Sequence, residues 1–183
     1  MCGGRIDNFN ARLYSLWHPQ HTALMKALGF IREISDPTIT KYHASGFSGE
    51  FSSIVIGSDN LPLISYYDEG DNRAIKVMHC LNTACTSAII STVDIVPSDV
   101  SRPNSTSITI SDDGLGLVAY AIQQGVDKTP TLKVAHCENL DCSNVTVSEL
   151  DSFPGGTTSN PVIATGSDGL GLIAYTDSQG NVR

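Results

Sequence analysis

Apolar and polar residues alternate with a period of two through much of the chain beyond residue 46, the spacing of β-strands rather than helices. In Leu61–Asp68, Leu61, Leu63, Ser65 and Tyr67 fall on one face, with Ile64 and Tyr66 on the other. Large residues on both faces predict a strand packed on two sides. Before it, Ser52–Gly57 reads as a strand with Ile54 and Ile56 apolar, and Ser58-Asp59-Asn60 reads as the turn between the two. After the polar turn Asp68–Arg73, the pattern predicts a third strand over Ala74–Cys80. A fourth covers Cys85–Asp94, with Ile89 and Val93 as core candidates. Gly, Asn and Asp punctuate the joints because they tolerate positive φ and bond their own backbone.

This unit recurs. Ile56–Asp68, Ile110–Ile122 and Thr165–Asp177 align without gaps, at offsets of 54 and 55 residues. A second block, Lys76–Cys85 (KVMHCLNTAC), returns as Lys133–Cys142 (KVAHCENLDC) at an offset of 57. The extra residues are expected in a longer loop, Gln124–Thr131, in the second copy. Four short strands in each repeat with polar joints match the blade of a β-propeller. The fold expected is therefore all-β, with tandem four-stranded blades over 47–183 after a non-repeat segment, 1–46. Blade one covers about 47–103, blade two 104–159 and a partial blade three 160–183. Arg183 aligns with Lys76 and Lys133, so about two and a half blades are present. That stopping point predicts a fragment, a truncated reading frame, or a protomer that completes its sheets with other copies. An isolated chain of this kind is not expected to be a well-sealed monomer.

The segment 1–46 carries a short helical pattern over His21–Ile34. Leu24, Met25, Leu28 and Ile31 form one stripe, Thr22 is a candidate N-cap, and Pro19 and Pro37 flank the run. A cap over the first blade is the plain reading of this helix. A partner-binding helix and a poorly ordered leader are the alternatives.

Repetition also bears on the candidate chemistry. Asp59, Asp113 and Asp168 occupy one repeat position. A carboxylate there could serve as an acid/base or bind calcium, but identical placement at three turns favours a turn device that bonds an amide two residues on. Cys80 with Cys85 and Cys137 with Cys142 share one spacing, and Cys2 is left over. Local disulfides across a four-residue loop are the favoured reading, joining strands three and four. Metal ligation fits poorly, since structural zinc sites use tighter knuckles. His79 and His136 precede a cysteine directly, so each pair points to opposite faces of its strand. Free thiols are the third reading. Paired cysteines suggest an oxidising compartment, whereas Met1–Gln20 lacks the continuous apolar stretch of a signal peptide. Asn104-Ser105-Thr106 and Asn144-Val145-Thr146 fit the glycosylation sequon, a pattern that arises easily in a Ser/Thr-rich chain.

The formal net charge of −8, without any Lys/Arg cluster, argues against a nucleic-acid partner. No run reaches the roughly 18 apolar residues that span a bilayer. There is no Walker loop, nucleophile elbow or paired-histidine zinc motif. No catalytic residue, cofactor or metal is singled out.

The stretch Gly166-Ser167-Asp168-Gly169 leading into Leu170–Tyr175, with its two counterparts, resembles the sialidase-like propeller repeats of bacterial exported proteins. The resemblance spans about Phe47 to Arg183. The family's Asp-box has one more residue between Asp and Gly, followed by an aromatic; here the two are adjacent and Leu comes later. It therefore implies architecture more than activity. Sialidase-like catalysis would need an arginine cluster and a tyrosine nucleophile. Before Arg183 the repeats offer only Arg73 and Arg102, and Tyr66, Tyr120 and Tyr175 read as core. The function expected is a non-catalytic binding or scaffold module of an exported or cell-surface protein, presenting loops to a protein or glycan. One alternative is a fragment of a sialidase-like propeller hydrolase. The other is a self-assembling structural protein, a homo-oligomer joined through open blade edges.

Overall fold

The computed structural model describes residues 40–42, 48–70, 73–98, 103, 105–124, 129–152, 160–177 and 179–183. The expected helix over 21–34 and Cys2 lie outside them. Strands β1 (Ser48–Ile56), β2 (Pro62–Asp68), β3 (Ala74–Cys80) and β4 (Ala88–Ile95) form one antiparallel sheet in sequence order. Strands β5 (Thr106–Ile110), β6 (Gly116–Gln124), β7 (Thr129–Cys137) and β8 (Val145–Ser152) repeat it. Strands β9 (Val162–Thr165) and β10 (Gly171–Ala174) open a third sheet, and an isolated bridge, Thr176 to Val182, extends it. These up-and-down meanders stack with β1 on β5 and β5 on β9, as neighbouring blades of a β-propeller do.

The period-two pattern assigns each sheet two faces, and the stacking decides what each face meets. In the first sheet Val55, Leu63, His79 and Ile89 are cross-strand neighbours on one face. That face meets the second sheet, and Leu63 is 2% exposed. In the second sheet Ile108, Val118, Ala135 and Val147 form the ladder that meets it. Tyr67, Ile75, Val77, Val118, Tyr120 and Ile122 fill the shared core. Burying such side chains is worth roughly 1.5–3 kcal/mol each. Serine hydroxyls pin the stack: Ser53 Oγ accepts from the Ile108 amide (3.3 Å), and Ser107 Oγ accepts from the Ile163 amide (3.1 Å). The two serines hold the same repeat position, so each sheet anchors the first strand of the next.

Several expectations need correcting. Strand β1 starts at Ser48 rather than Ser52, through a bulge in which Phe51 takes φ 55°. Ile54 and Ile56 are 63% and 57% exposed, because their face is turned away from the second sheet. Strand β4 begins at Ala88, not Cys85, and Ile89 is 40% exposed while Val93 is buried. Strand four is the outer edge of its sheet, where the covering sheet runs out. The extra residues of the second copy lengthen a hairpin rather than a loop: pairing continues through Gln123–Pro130 and Gln124–Thr129. Among the aligned second-strand positions, Leu63, Tyr66, Val118 and Tyr120 are buried, while Ile64 and Leu117 are half-buried. In the third sheet Leu172 is 71% exposed, with Ile173 and Tyr175 half-buried. No further sheet packs over that face among the described residues.

Candidate functional site

The three repeated aspartates sit in three nearly identical turns. In the first, the Gly57 amide donates to the Leu61 carbonyl (2.8 Å) and the Asn60 amide to the Gly57 carbonyl (3.0 Å). The Leu61 amide donates to Asp59 Oδ1 (3.0 Å). Asp113 Oδ1 accepts from the Leu115 amide (2.9 Å) and Asp168 Oδ1 from the Leu170 amide (3.1 Å) in the same way. The residue after each aspartate takes positive φ: Asn60 at 64°, Gly114 and Gly169 at 81°. The turns also stack, since Ser58 Oγ donates to the Gly114 carbonyl (2.8 Å) and the Asp112 amide to the Gly169 carbonyl (3.2 Å). A Cβ at Gly169 would come 2.4 Å from Asp112 Cβ.

Glycine is thus needed there twice, for the backbone angle and for the close approach. Gly114→Ala, where a Cβ would stand 3.1 Å from Ser58 Cβ and Oγ, should cost about 1–2 kcal/mol, chiefly through φ. Asn60→Gly should change stability by only a few tenths. Equal effects at the two positions in a denaturant titration would show that the turn conformation is not what selects glycine.

The second carboxylate oxygen of two of these turns meets a histidine that the sequence reading did not connect to it. Asp59 Oδ2 lies 2.7 Å from His79 Nε2, and Asp113 Oδ2 lies 2.8 Å from His136 Nε2. A signal was present, because His79 and His136 recur at one position of the second repeated block, 20 and 23 residues after their aspartates. The His79–Asp59 pair is mostly enclosed, with side chains 9% and 22% exposed, and it lines a small crevice with Gly114, Leu115 and Leu140. Desolvation raises the Asp59 carboxyl, but the Leu61 amide and then His79 outweigh it and hold it below its ordinary 3.8. Asp113 is lowered by the Ser111 hydroxyl first, then by the Leu115 amide.

A carboxylate held below its unfolded value stabilises the fold above that value and loses its contribution as pH falls through the folded one. Stability should therefore fall as pH drops below about 4. Asp59→Asn together with Asp113→Asn should flatten that decline, as read from denaturation midpoints across the acid range. An unchanged slope would show that these carboxylates do not carry it. Asp113 is more exposed than Asp59, so solvent screening makes its share the smaller.

The cysteines lie at the same end of each sheet. Cys80 and Cys85 are at disulfide distance, with Cα atoms 4.9 Å apart, and Cys137 and Cys142 likewise at 4.7 Å. Cys85 and Cys142 take φ of 48° and 52° inside the connection, and the cross-strand partners of Cys80 and Cys137 are Ala88 and Val145. Each pair thus ties the end of strand three to its own loop rather than to strand four. A Cβ at Gly116 would meet Cys137 Sγ at 3.1 Å and Leu63 Cδ2 at 2.9 Å. The cysteines of the second sheet therefore face back towards the first sheet, while His136 pairs with Leu117 on the other side. No group of three or more metal-ligating side chains gathers among the described residues.

Other polar groups bridge sheets. Tyr120 Oη donates to Asp94 Oδ2 (2.8 Å), which Lys133 Nζ also reaches (3.2 Å). Tyr175 Oη donates to Asp151 Oδ2 (2.6 Å) one repeat later. Burial first, and then the Asp94 charge, push the Tyr120 phenol far above its ordinary value. The Asp151 hydrogen bond, more than burial, raises the Tyr175 phenol above its ordinary value. Lys76 pairs with Asp68 within the first sheet. Arg73 Nε donates to Tyr67 Oη (3.0 Å) and its Nη1 to the Pro97 carbonyl (2.9 Å). Arg102 lies outside the described residues. Asp59, Asp113 and Asp168 thus each accept a turn amide, and Asp94 and Asp151 each accept a tyrosine hydroxyl from the next sheet.

No family model matches the chain, and no curated protein does. Among solved structures the chain is similar to the endo-arabinase from Bacteroides thetaiotaomicron VPI-5482, at 15% identity and a TM-score of 0.46. The similarity covers 72% of this chain and 52% of the arabinase, so the chain spans about half the length of that protein.

Proposed function

We propose that the chain is a blade array serving as a non-catalytic binding or scaffold module in an exported or cell-surface protein. The observation that carries this reading is the use of its repeated carboxylates. Asp59, Asp113 and Asp168 each accept a turn amide, and Asp94 and Asp151 each accept a tyrosine hydroxyl from the next sheet. A glycosidase needs two carboxylates facing one substrate about 5–10 Å apart, and these five are held for other work. The cysteine pairs support export, since disulfides persist in oxidising compartments. The Asp-turn geometry supports kinship with Asp-box propellers, with repeats at 47–103, 104–159 and 160–183 after a non-repeat segment 1–46. The ligand in this reading is a protein or glycan held by the blade-end loops.

A panel of immobilised polysaccharides and aryl glycosides tests it. Retention on a polysaccharide without release of aglycone is the expected result. Turnover that co-purifies with the chain and vanishes on substitution of a single aspartate would establish the hydrolase alternative instead. No helix among the described residues is long and apolar enough to cross a membrane.

A further inference from the structure

We infer that the outer face of the third sheet, carrying Val162, Ala164 and Leu172, docks face to face with the first sheet of a second copy, on Ile54 and Ile56. The inference is independent of the proposed binding role. Its ground is an interface that the chain builds twice internally. Leu63, Leu117 and Leu172 hold one repeat position, and so do Ile54, Ile108 and Ile163. Where two sheets meet, Leu63 and Ile108 are buried between the first and second, and between the second and third Ile163 is buried and Leu117, half-buried, packs beside it at Gly171. The same positions are uncovered at the two ends of the stack, with Leu172 at 71% and Ile54 at 63% exposure. Ile54 shares its face with Ile64, Met78 and Ile90, the ladder that corresponds to Ile108, Val118, Ala135 and Val147. Ile64 and Met78 are half-buried and Tyr66, further along that face, is buried, so the exposed part is the end carrying Ile54, Ile56 and Ile90.

The polar contacts continue the same logic. Ser58 Oγ donates to the carbonyl of Gly114. Ser167 holds the Ser58 position and Asn60 holds the Gly114 position, so a stacked second copy brings Ser167 Oγ to the Asn60 carbonyl. Val162 stands where Ser53 and Ser107 stand in the earlier sheets, making this contact more apolar than the internal ones. Apolar faces of this kind mark association surfaces. The two faces differ, so the contact is head-to-tail and generates a ring or an open stack.

Sedimentation velocity of the full chain, from about 1 to 100 µM, tests the inference. Wild-type chain should associate with rising concentration. Leu172→Asp and Ile54→Asp should each weaken association by at least about tenfold. An equimolar mixture should form a 1:1 heterodimer and stop there, since Ile54→Asp keeps its Leu172 face and Leu172→Asp keeps its Ile54 face. If either aspartate variant loses its β-sheet circular dichroism, Leu172→Ser with Ile54→Ser is read for the same outcomes. A wild-type chain that stays monomeric throughout overturns the inference and leaves these faces to the chain's own residues or to an unrelated protein. A mixture that fails to heterodimerise overturns it as well.

Discussion

Tyr120→Ala is expected to cost about 3–5 kcal/mol of unfolding free energy, the range for truncating a buried aromatic. The ring is fully buried at the junction of the first two sheets. Its loss opens a cavity between layers that are each held by their own hydrogen-bond ladder and cannot easily collapse into it. The hydroxyl adds a second cost, because Asp94 would keep Lys133 but lose its tyrosine donor. Tyr120→Phe isolates that part and should cost about 1–3 kcal/mol. Tyr175→Ala, at the equivalent position in the half-covered third sheet, should cost no more than about 2 kcal/mol. Urea titrations of the three variants give the ranking. A loss below about 1 kcal/mol for Tyr120→Ala would mean that the ring is not the plug between sheets.

Removal of Cys137 and Cys142 together, as the double alanine variant, is expected to cost up to about 2–3 kcal/mol, the scale for closing a short loop. Non-reducing peptide mapping of oxidised protein should first find the Cys80–Cys85 and Cys137–Cys142 peptides, with Cys2 as a free thiol. The second pair should matter more than the first. Cys137 and Cys142 are both fully buried and pack near Gly116 and Leu63 at the sheet junction, whereas Cys85 is half-buried. The alanine variant therefore loses packing as well as the cross-link. Peptides joining cysteines of different repeats would refute the local pairing, and a larger loss on removing Cys80 and Cys85 would refute the packing argument.

Much of the local architecture is written in short-range pattern. Strand β3 runs over Ala74–Cys80 in the fold as the alternation predicts, because a turn-forming Asp-Asn-Arg run precedes it and a cysteine-bounded loop follows it. The positive φ of Asn60, Gly114 and Gly169 follows from the residue types that tolerate it. The Asp–His pairs were harder to see. Asp59 and His79 are 20 residues apart with β2 between them, and they meet because β3 returns beside the turn that β1 and β2 form. Sequence spacing alone does not say which strand ends share an end of the sheet.

Burial divides along the same line. Alternation in the sequence determines that Ile54, Ile89 and Leu172 lie on defined faces of strands, because side chains alternate across a strand whatever surrounds it. Whether a face is covered depends on the next sheet, and only the tertiary structure decides that. It places Leu63 under the second sheet and leaves Leu172 bare, although the repeat makes the two residues equivalent. It also turns a repeated tyrosine and a repeated aspartate, 26 residues apart in Asp94 and Tyr120, into a bond between sheets. Local pattern is a property of consecutive residues, while contact between layers depends on how whole sheets stack.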